Sequence, residues 1–330
     1  MNGMSRALVT GGAGFIGSHI VDELIDRRVE TLVIDDLSTG SMENLGQHES
    51  DPLLKMYVGD VREASKLLKG VGEIDVVFHE AAIASVPLSV SQPMRVHDAN
   101  VTATIDLLRF CVAAKVKRFV FASSAAVYGA VDGRKASEDE LCYPSSPYGA
   151  SKLAVESYLS AFQRTYGLET VALRYFNVYG DKQRANDGYG GVITIFANSL
   201  ISGINPTIYG DGLQTRDFVN VKDVARANLV AAEVENAAGQ VFNVASGKSV
   251  SIMRLLELLR SIVQVPDIEP KFAAPRAGDV RSGSASIEKI TRVLDYQPLF
   301  ELKDGLADLV GHLKRAMMAT SQLEEANRVG

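Results

Sequence analysis

Tyr148 and Lys152 stand four positions apart in Tyr148-Gly149-Ala150-Ser151-Lys152, a spacing that puts two side chains on one helix face. A free tyrosine hydroxyl titrates at about 10, too high for an efficient base at neutral pH. An ammonium beside it favours the phenolate and brings that value down. A third group, Ser124, ends the apolar run Phe119-Val120-Phe121-Ala122 as the second residue of Ser123-Ser124. Parallel sheets bind ligands at the carboxyl ends of their strands, so Ser124 is placed to hold a substrate hydroxyl near the Tyr148 oxygen. Each signal alone has an ordinary reading, the pair as surface-helix residues and Ser123-Ser124 as a hydroxyl turn. Together they describe proton removal from an alcohol.

A second signature concerns phosphate. Thr10-Gly11-Gly12-Ala13-Gly14-Phe15-Ile16-Gly17 lies between a strand-like run, Ala7 to Thr10, and a helical pattern from Gly14 to Ile25. Glycines at 11, 14 and 17 permit a tight turn, close approach of backbone to pyrophosphate, and close packing of helix on strand. The helix N-terminus offers free N–H groups and a positive dipole end to phosphate. Asp35 ends the next strand, about 20 residues on, where a carboxylate accepts from ribose hydroxyls. Asp36-Leu37-Ser38-Thr39-Gly40 holds no arginine and would repel a 2′-phosphate. NAD is therefore favoured over NADP, with Asp36, Ser38, Thr39 and Gly40 in the cofactor-binding set. Asp60-Val61 after the third strand is an adenine contact or a plain strand-end turn. A positive nicotinamide would add to the lysine's effect on Tyr148.

The elements that must position these groups alternate. Strands are read at 7–10, 31–34, 56–58, 75–79, 119–122, 171–173 and 241–244, and helices at 14–25, from Val101 through Val112, and at 148–166. Continuous apolar strands separated by helices indicate a doubly wound α/β fold with a parallel sheet covered on both faces. After Tyr175 the rhythm changes: a helix to about Ser202, strand and turn over 204–212, and helices at 255–263 and 306–317. The reading gives residues 1–176 to a dinucleotide-binding lobe, with a returning segment at about 217–250. Residues 177–216 and 251–317 form a smaller mixed α/β substrate lobe, and 318–330 a frayed polar tail.

The composition excludes several classes. The 330 residues are 46% apolar and 22% charged, which argues for a globular chain. A formal net charge of −6 gives no bulk reason to bind nucleic acid or anionic lipid. Cys111 and Cys142 sit in no CxxC or Cys/His cluster, so no metal site is expected and a reducing compartment is the default. No apolar run approaches the roughly 20 residues of a bilayer span, and no signal-peptide layout opens the chain, so a cytoplasmic setting is expected.

The glycine loop, Ser123-Ser124-Ala125-Ala126-Val127-Tyr128-Gly129, Tyr148 to Lys152, and Arg174-Tyr175-Phe176-Asn177 together resemble the extended short-chain dehydrogenase/reductases. Arg216-Asp217-Phe218 and Arg276-Ala277-Gly278-Asp279 are similar to the nucleotide-sugar branch, most of all to UDP-hexose 4-epimerases, including the UDP-N-acetylglucosamine group. The likeness runs from about residue 5 to 315. It implies a catalytic set of Ser124, Tyr148 and Lys152. It implies NAD contacts at Gly11, Gly14, Phe15, Ile16, Asp35, Asp60, Val61, Ala81, Ala82, Asn100, Ser123 and Tyr175, besides Tyr148 and Lys152. Asn100 has a second reading, as the cap of a helix beginning at Val101. His79 reads as a satisfied core residue.

The resemblance also assigns the substrate side. Arg216 and Arg276 match positions that grip the UDP diphosphate, for which the guanidinium fork suits. Asn177, Gly191, Val192 and Asp279 join the UDP-sugar set. Thr207 and Tyr209 resemble the segment flanking uracil, although Tyr209 reads equally as a half-buried strand aromatic. Ser85 and Val86 lie in a sugar-facing loop, where many glucose-type members carry lysine at the position of Ala84. Gly283 falls beside the sugar's 2-substituent, where absence of a side chain leaves room for an acetamido group; its other reading is a relaxed loop.

A 4-epimerase oxidises C4, lets the keto sugar rotate on its diphosphate anchor and returns the same hydride to the other face. A 4,6-dehydratase or decarboxylase is the runner-up, but dehydratases of this fold resemble one another in an Asp-Glu pair directly after the catalytic hydroxyl residue and decarboxylases in a Glu at the second of those positions, where Ala125 and Ala126 stand. UDP-glucuronate 4-epimerase remains open. So does a catalytically silent NAD-sensing scaffold, against which the intact Ser124, Tyr148 and Lys152 count. A homodimer is expected through the helix carrying Val101, Ile105, Leu107, Leu108, Cys111 and Val112 and the helix carrying Leu153, Tyr158, Leu159 and Phe162, each with apolar surface beyond one stripe.

Overall fold

Apolar strands that alternate between two covered faces set the architecture. The computed structural model describes residues 3–131, 133–183, 191–275, 281 and 283–329, the side chains of 319–329 excepted. The first six strands are β1 (Arg6–Thr10), β2 (Glu30–Asp35), β3 (Leu54–Val58), β4 (Val76–His79), β5 (Arg118–Ser124) and β6 (Glu169–Tyr175). After β7 (Asn177–Tyr179), β8 (Thr207–Tyr209) and β9 (Thr215–Asn220), the strand β10 (Gln240–Val244) returns to pair with β6. The seven-stranded sheet runs β10-β6-β5-β4-β1-β2-β3, with every pairing parallel. The order reverses between β1 and β4, the switch point at which such sheets bind ligands.

Ala7 and Val9 of β1 face one core and Leu8 the other, as strand geometry requires. The first core is closed by α1 (Phe15–Asp26), the second by α2 (Ala64–Leu67), α5 (Ala103–Ala113) and α6 (Pro147–Tyr166), while α3 (Val86–Ser91) and α4 (Pro93–His97) border α6. Beyond the sheet, α7 (Val192–Ile201), α9 (Ile252–Val263) and α11 (Leu302–Val329) enclose a separate core around Phe196, Leu255, Leu259 and Leu306. There β7 and β11 (Ser249–Ser251) flank β9, and β8 pairs with β12 (Lys271–Ala273). The helices α8 (Val221–Glu233) and α10 (Glu288–Leu294) return to the first core, on which Val224, Leu229, Ile290 and Leu294 are buried.

Four differences from the sequence reading have physical causes. Helix α8 packs through alanines, Ala225, Ala227, Ala231 and Ala232, whose weak hydropathy leaves little periodic signal. The helix expected to begin at Val101 is already helical from Pro93, through a π turn at Asp98–Thr102 into α5. Asn100 therefore caps nothing. Helix α11 runs on to Val329, past Met317 where the pattern of apolar residues fades and a frayed tail was expected. Finally, Val101, Leu107, Leu108, Cys111, Leu159 and Phe162 are all buried in the core of one chain. Those residues supply no second apolar face; Val86, Val90, Met94, Tyr158 and Tyr166 are the exposed large apolar side chains of α3, α4 and α6. No helix among the described residues is long and apolar enough to cross a membrane.

Candidate active site

The glycine loop is held by close backbone approach. Gly11 has φ +69°, and a Cβ there would lie 2.7 Å from the Ala81 nitrogen. A Cβ on Gly17 would lie 2.2 Å from the Gly11 carbonyl oxygen. The Gly14 amide donates to the Gly11 carbonyl at 3.0 Å, and Gly14 precedes the first turn of α1. Above this cradle opens a cavity of about 1230 Å³. Gly11, Gly14, Phe15 and Ile16 form its floor, and Asp36, Ser38, Thr39, Asp60 and Val61 one flank. Ala81 and Ala82 follow β4, and Asn177, Gly191 and Val192 face them from the smaller lobe. Bare backbone, a helix N-terminus and a carboxylate on one flank fit a dinucleotide.

Asp35 is buried and braces the loop. Its carboxylate accepts from the amides of Ala13 at 3.0 Å and Leu37 at 2.8 Å, and burial raises its pKa above the usual carboxylate value. A Cβ on Gly40 would lie 2.9 Å from the same carboxylate. Asp60 caps a short turn through the Arg62 amide and pairs with the Arg62 guanidinium, which holds its carboxyl low. Asn100 is buried behind the cavity. It accepts from the Ile83 amide at 2.8 Å and donates to the Ile83 carbonyl and the Ser151 hydroxyl, both at 3.1 Å. It thus ties the segment after β4 to α6.

The catalytic corner is built by α6 docking on the end of β5. Ser146 caps α6 through the Gly149 amide, and Pro147 opens it. A Cβ on Gly149 would lie 2.4 Å from the Ala126 carbonyl. That contact presses the first turn of α6 onto the turn after Ser124 and brings Tyr148 to the Ser124 hydroxyl. Burial pushes Tyr148 up, while its hydrogen bond with Ser124 pulls it down. Lys152 is buried, with its ammonium 6.0 Å from the Tyr148 ring and donating to the Ala122 carbonyl at 2.7 Å. Burial lowers Lys152 to about 8. A Tyr148 lowered by its lysine is the expectation from sequence; in the chain alone desolvation outweighs the Ser124 hydrogen bond, and the Glu80 charge adds to the rise.

Ser123 points away from Ser124. Its hydroxyl donates to Glu156 at 2.5 Å, and the Glu156 carboxylate also holds Arg174 at 2.7 Å. This buried ion pair fastens α6 to β6 beneath the corner, so Ser123 serves the floor rather than the cavity. Tyr175 faces forward: its hydroxyl donates to Glu80 at 2.8 Å and accepts from the Asn228 amide at 2.7 Å. His79 is a core residue as expected, bonded to the Thr10 and Thr104 hydroxyls at 2.7 and 2.8 Å and lowered by burial to about 3.

On the substrate side, Asn177 donates to the Asp217 carbonyl at 3.1 Å. The Ser85 hydroxyl caps α3 through Leu88, and Val86 is exposed. Arg216 donates to the Thr215 carbonyl at 2.8 Å. Thr207 and Tyr209 lie on β8, Tyr209 partly exposed. Gly283 lies against β9, its amide donating to the Thr215 carbonyl at 3.0 Å; its φ is outside the left-handed region, so the loop does not need glycine's freedom. Arg276 and Asp279 lie outside the described residues. Glu80, which no sequence motif singles out, also lines the cavity. A carboxylate directly after an apolar strand, at a carboxyl end, was the available signal.

A parallel sheet with a dinucleotide cradle at its switch point and a Ser/Tyr/Lys corner beside it defines a nucleotide-dependent enzyme of the doubly wound class. Residues 7–245 match the model of the NAD dependent epimerase/dehydratase family, and the chain belongs to that family. It is 38% identical over 307 residues to a UDP-glucose 4-epimerase of Mycolicibacterium smegmatis, covering 92% of this chain and 97% of that protein. Among solved structures it is similar to a UDP-N-acetylglucosamine 4-epimerase of Methanobrevibacter ruminantium in complex with UDP-N-acetylmuramic acid. That match has TM-score 0.89 and 40% identity, and covers 94% of this chain and 99% of the other. A Thermus thermophilus UDP-glucose 4-epimerase in complex with NAD matches at TM-score 0.85 and 35% identity, covering 94% and 99%.

Proposed function

We propose that this chain is an NAD-dependent UDP-hexose 4-epimerase acting on UDP-glucose/UDP-galactose and on the corresponding N-acetyl sugars. One observation carries the reading: Gly149 packs against the Ala126 carbonyl and sets Tyr148 beside Ser124, at the carboxyl end of β5. Bound NAD supplies reversible hydride acceptance at C4. Ser124 holds the C4 hydroxyl and the Tyr148 oxygen takes its proton, later returning it from the same position. Lys152, as an ammonium, supports the phenolate. Arg216, with Arg276, anchors the diphosphate while the sugar turns. Ala125 and Ala126 give elimination across C5–C6 no proton handler. Residues 1–176 with 217–250 hold the cofactor, and 177–216 with 251–317 the UDP-sugar.

The test is product analysis after separate incubation with UDP-glucose, UDP-N-acetylglucosamine and UDP-glucuronate. C4 epimers from the first two are expected; unchanged sugars would reject the activity. The exposed Val90, Met94, Tyr158 and Tyr166 support a homodimer across α3, α4 and α6. Light scattering at micromolar concentration should give twice the chain mass, and a monomer would refute it.

A further inference from the structure

Glu80 is a half-buried carboxyl group for which the activity above has no use. It follows β4, lines the cofactor cavity and accepts from the Tyr175 hydroxyl at 2.8 Å. Tyr175 is itself an acceptor for the Asn228 amide, so its single proton is committed to Glu80. The groups around Glu80 are Tyr175 from β6, Asn228 behind it on α8, and Lys152 and Tyr148 from α6. His79, the preceding residue of β4, turns to Thr10 and Thr104 and is neutral. Lys152 is the cation of this group. Its nearest partners, the Ala122 carbonyl at 2.7 Å and the Phe121 ring at 4.8 Å, offer dipoles and no countercharge. A buried ammonium without an anion is costly.

We propose that Glu80 is the counter-ion of the cofactor site, a positioning residue whose carboxylate, on the wall of the cavity, lets an oxidised, positively charged nicotinamide ring bind there with the buried Lys152 ammonium nearby. The inference rests on the reading of that cavity as the NAD site. Burial drives Lys152 down to about 8 and Glu80 up to about 7, and the field of each opposes the shift of the other. A cationic ring in the cavity, added to the nearby Lys152 ammonium, makes the carboxylate more necessary. Removing it has two consequences of fixed sign. The neutral, reduced ring becomes favoured over the cationic one. Every neighbouring pKa falls, that of Tyr148 together with that of Lys152.

The experiment compares wild-type holoenzyme with Glu80→Gln and Glu80→Asp, each loaded with NAD and poised against a redox dye without sugar nucleotide. Glu80→Gln should move the NADH:NAD ratio about tenfold toward NADH, the scale of one charge–charge interaction across a site of this kind. Glu80→Asp should return it toward wild type. Both limbs of the kcat/KM pH profile should move to lower pH in Glu80→Gln by about one unit, a joint displacement that loss of packing would not produce. A ratio within about twofold of wild type, on the same scale, overturns the proposal, as does equal displacement in the aspartate variant. Wild type alone gives an independent answer. Oxidised-minus-reduced infrared spectra should show a carboxyl group gaining a proton on reduction, and a silent carboxyl region rejects the counter-ion. Potentiometry needs no turnover, so a chain that epimerises nothing but shows the Glu80 effect would fail the proposed function and keep this inference.

Discussion

The phosphate cradle and the catalytic corner both stand at carboxyl ends of strands of one sheet, after β1 and β5, and are built from opposite materials. The cradle is backbone: Gly11 and Gly17 leave no space for a Cβ, and the nearest atoms are main-chain atoms of Ala81 and Gly11. The corner is charge: Tyr148 and Lys152 come from α6, Glu80 from the end of β4 and Tyr175 from β6, and each titrates away from its ordinary value because burial disfavours its ionised form. A steric site fails by displacement. An electrostatic one can lose its chemistry while its shape persists.

Substitution at Tyr148 separates the two most sharply. Tyr148→Phe keeps the ring and removes the proposed base, so turnover should fall by about 10³-fold or more with NAD still bound. Product chromatography and cofactor absorbance read the two effects apart, and near-normal turnover would remove Tyr148 from the mechanism. Ser124→Ala should cost less, since Ser124 only positions the hydroxyl. In the cradle the pattern reverses. Gly17→Ala drives a methyl into the Gly11 carbonyl and should weaken NAD binding by about 10²-fold by titration calorimetry, with stability falling by about 1–3 kcal/mol.

Two smaller effects test the periphery. A Cβ on Gly283 would sit 3.3 Å from the Thr215 carbonyl and 3.6 Å from Arg216 Cδ, tight but admissible. Gly283→Tyr should therefore fold and selectively reduce activity on the N-acetyl sugars, by the roughly 1–3 kcal/mol that a filled pocket costs. Equal loss on both sugar types would place Gly283 away from the 2-substituent. His79 supplies a test by pH. Its native value is about 3 against 6.5 for the free side chain, so between those limits the unfolded chain binds more protons. Stability from His79 is complete above 6.5 and is lost as pH falls toward 3, at up to about 1.4 kcal/mol per pH unit. Urea denaturation of wild type and His79→Gln should show that slope in the first and a flatter one in the second.

The legible parts of the sequence were those with short-range causes. All seven strands of the main sheet appear in it, because each is a β-branched or aromatic run bounded by turns. The glycine spacing 11, 14, 17 records local sterics, and Tyr148 with Lys152 records one helical turn. Helix α8 was not legible, since its alanines matter only for the close approach they allow. Asn100 reads from sequence as a cofactor contact or a helix cap; the cap is absent, and folding makes it a buried brace between Ile83 and Ser151.

The sequence by itself determined the fold class, the dinucleotide cradle and the residue types of the corner. Only the tertiary structure decided which way the corner faces and what charge surrounds it. Ser123 and Ser124 are adjacent, yet one hydroxyl is taken by Glu156 and the other stands by Tyr148, because strand neighbours point to opposite sides. Glu80 and Lys152 are 72 positions apart and act on each other only after β4 and α6 have packed. Periodicity and glycine spacing are local properties of a chain, and a buried electric field is a sum over groups that only folding brings together.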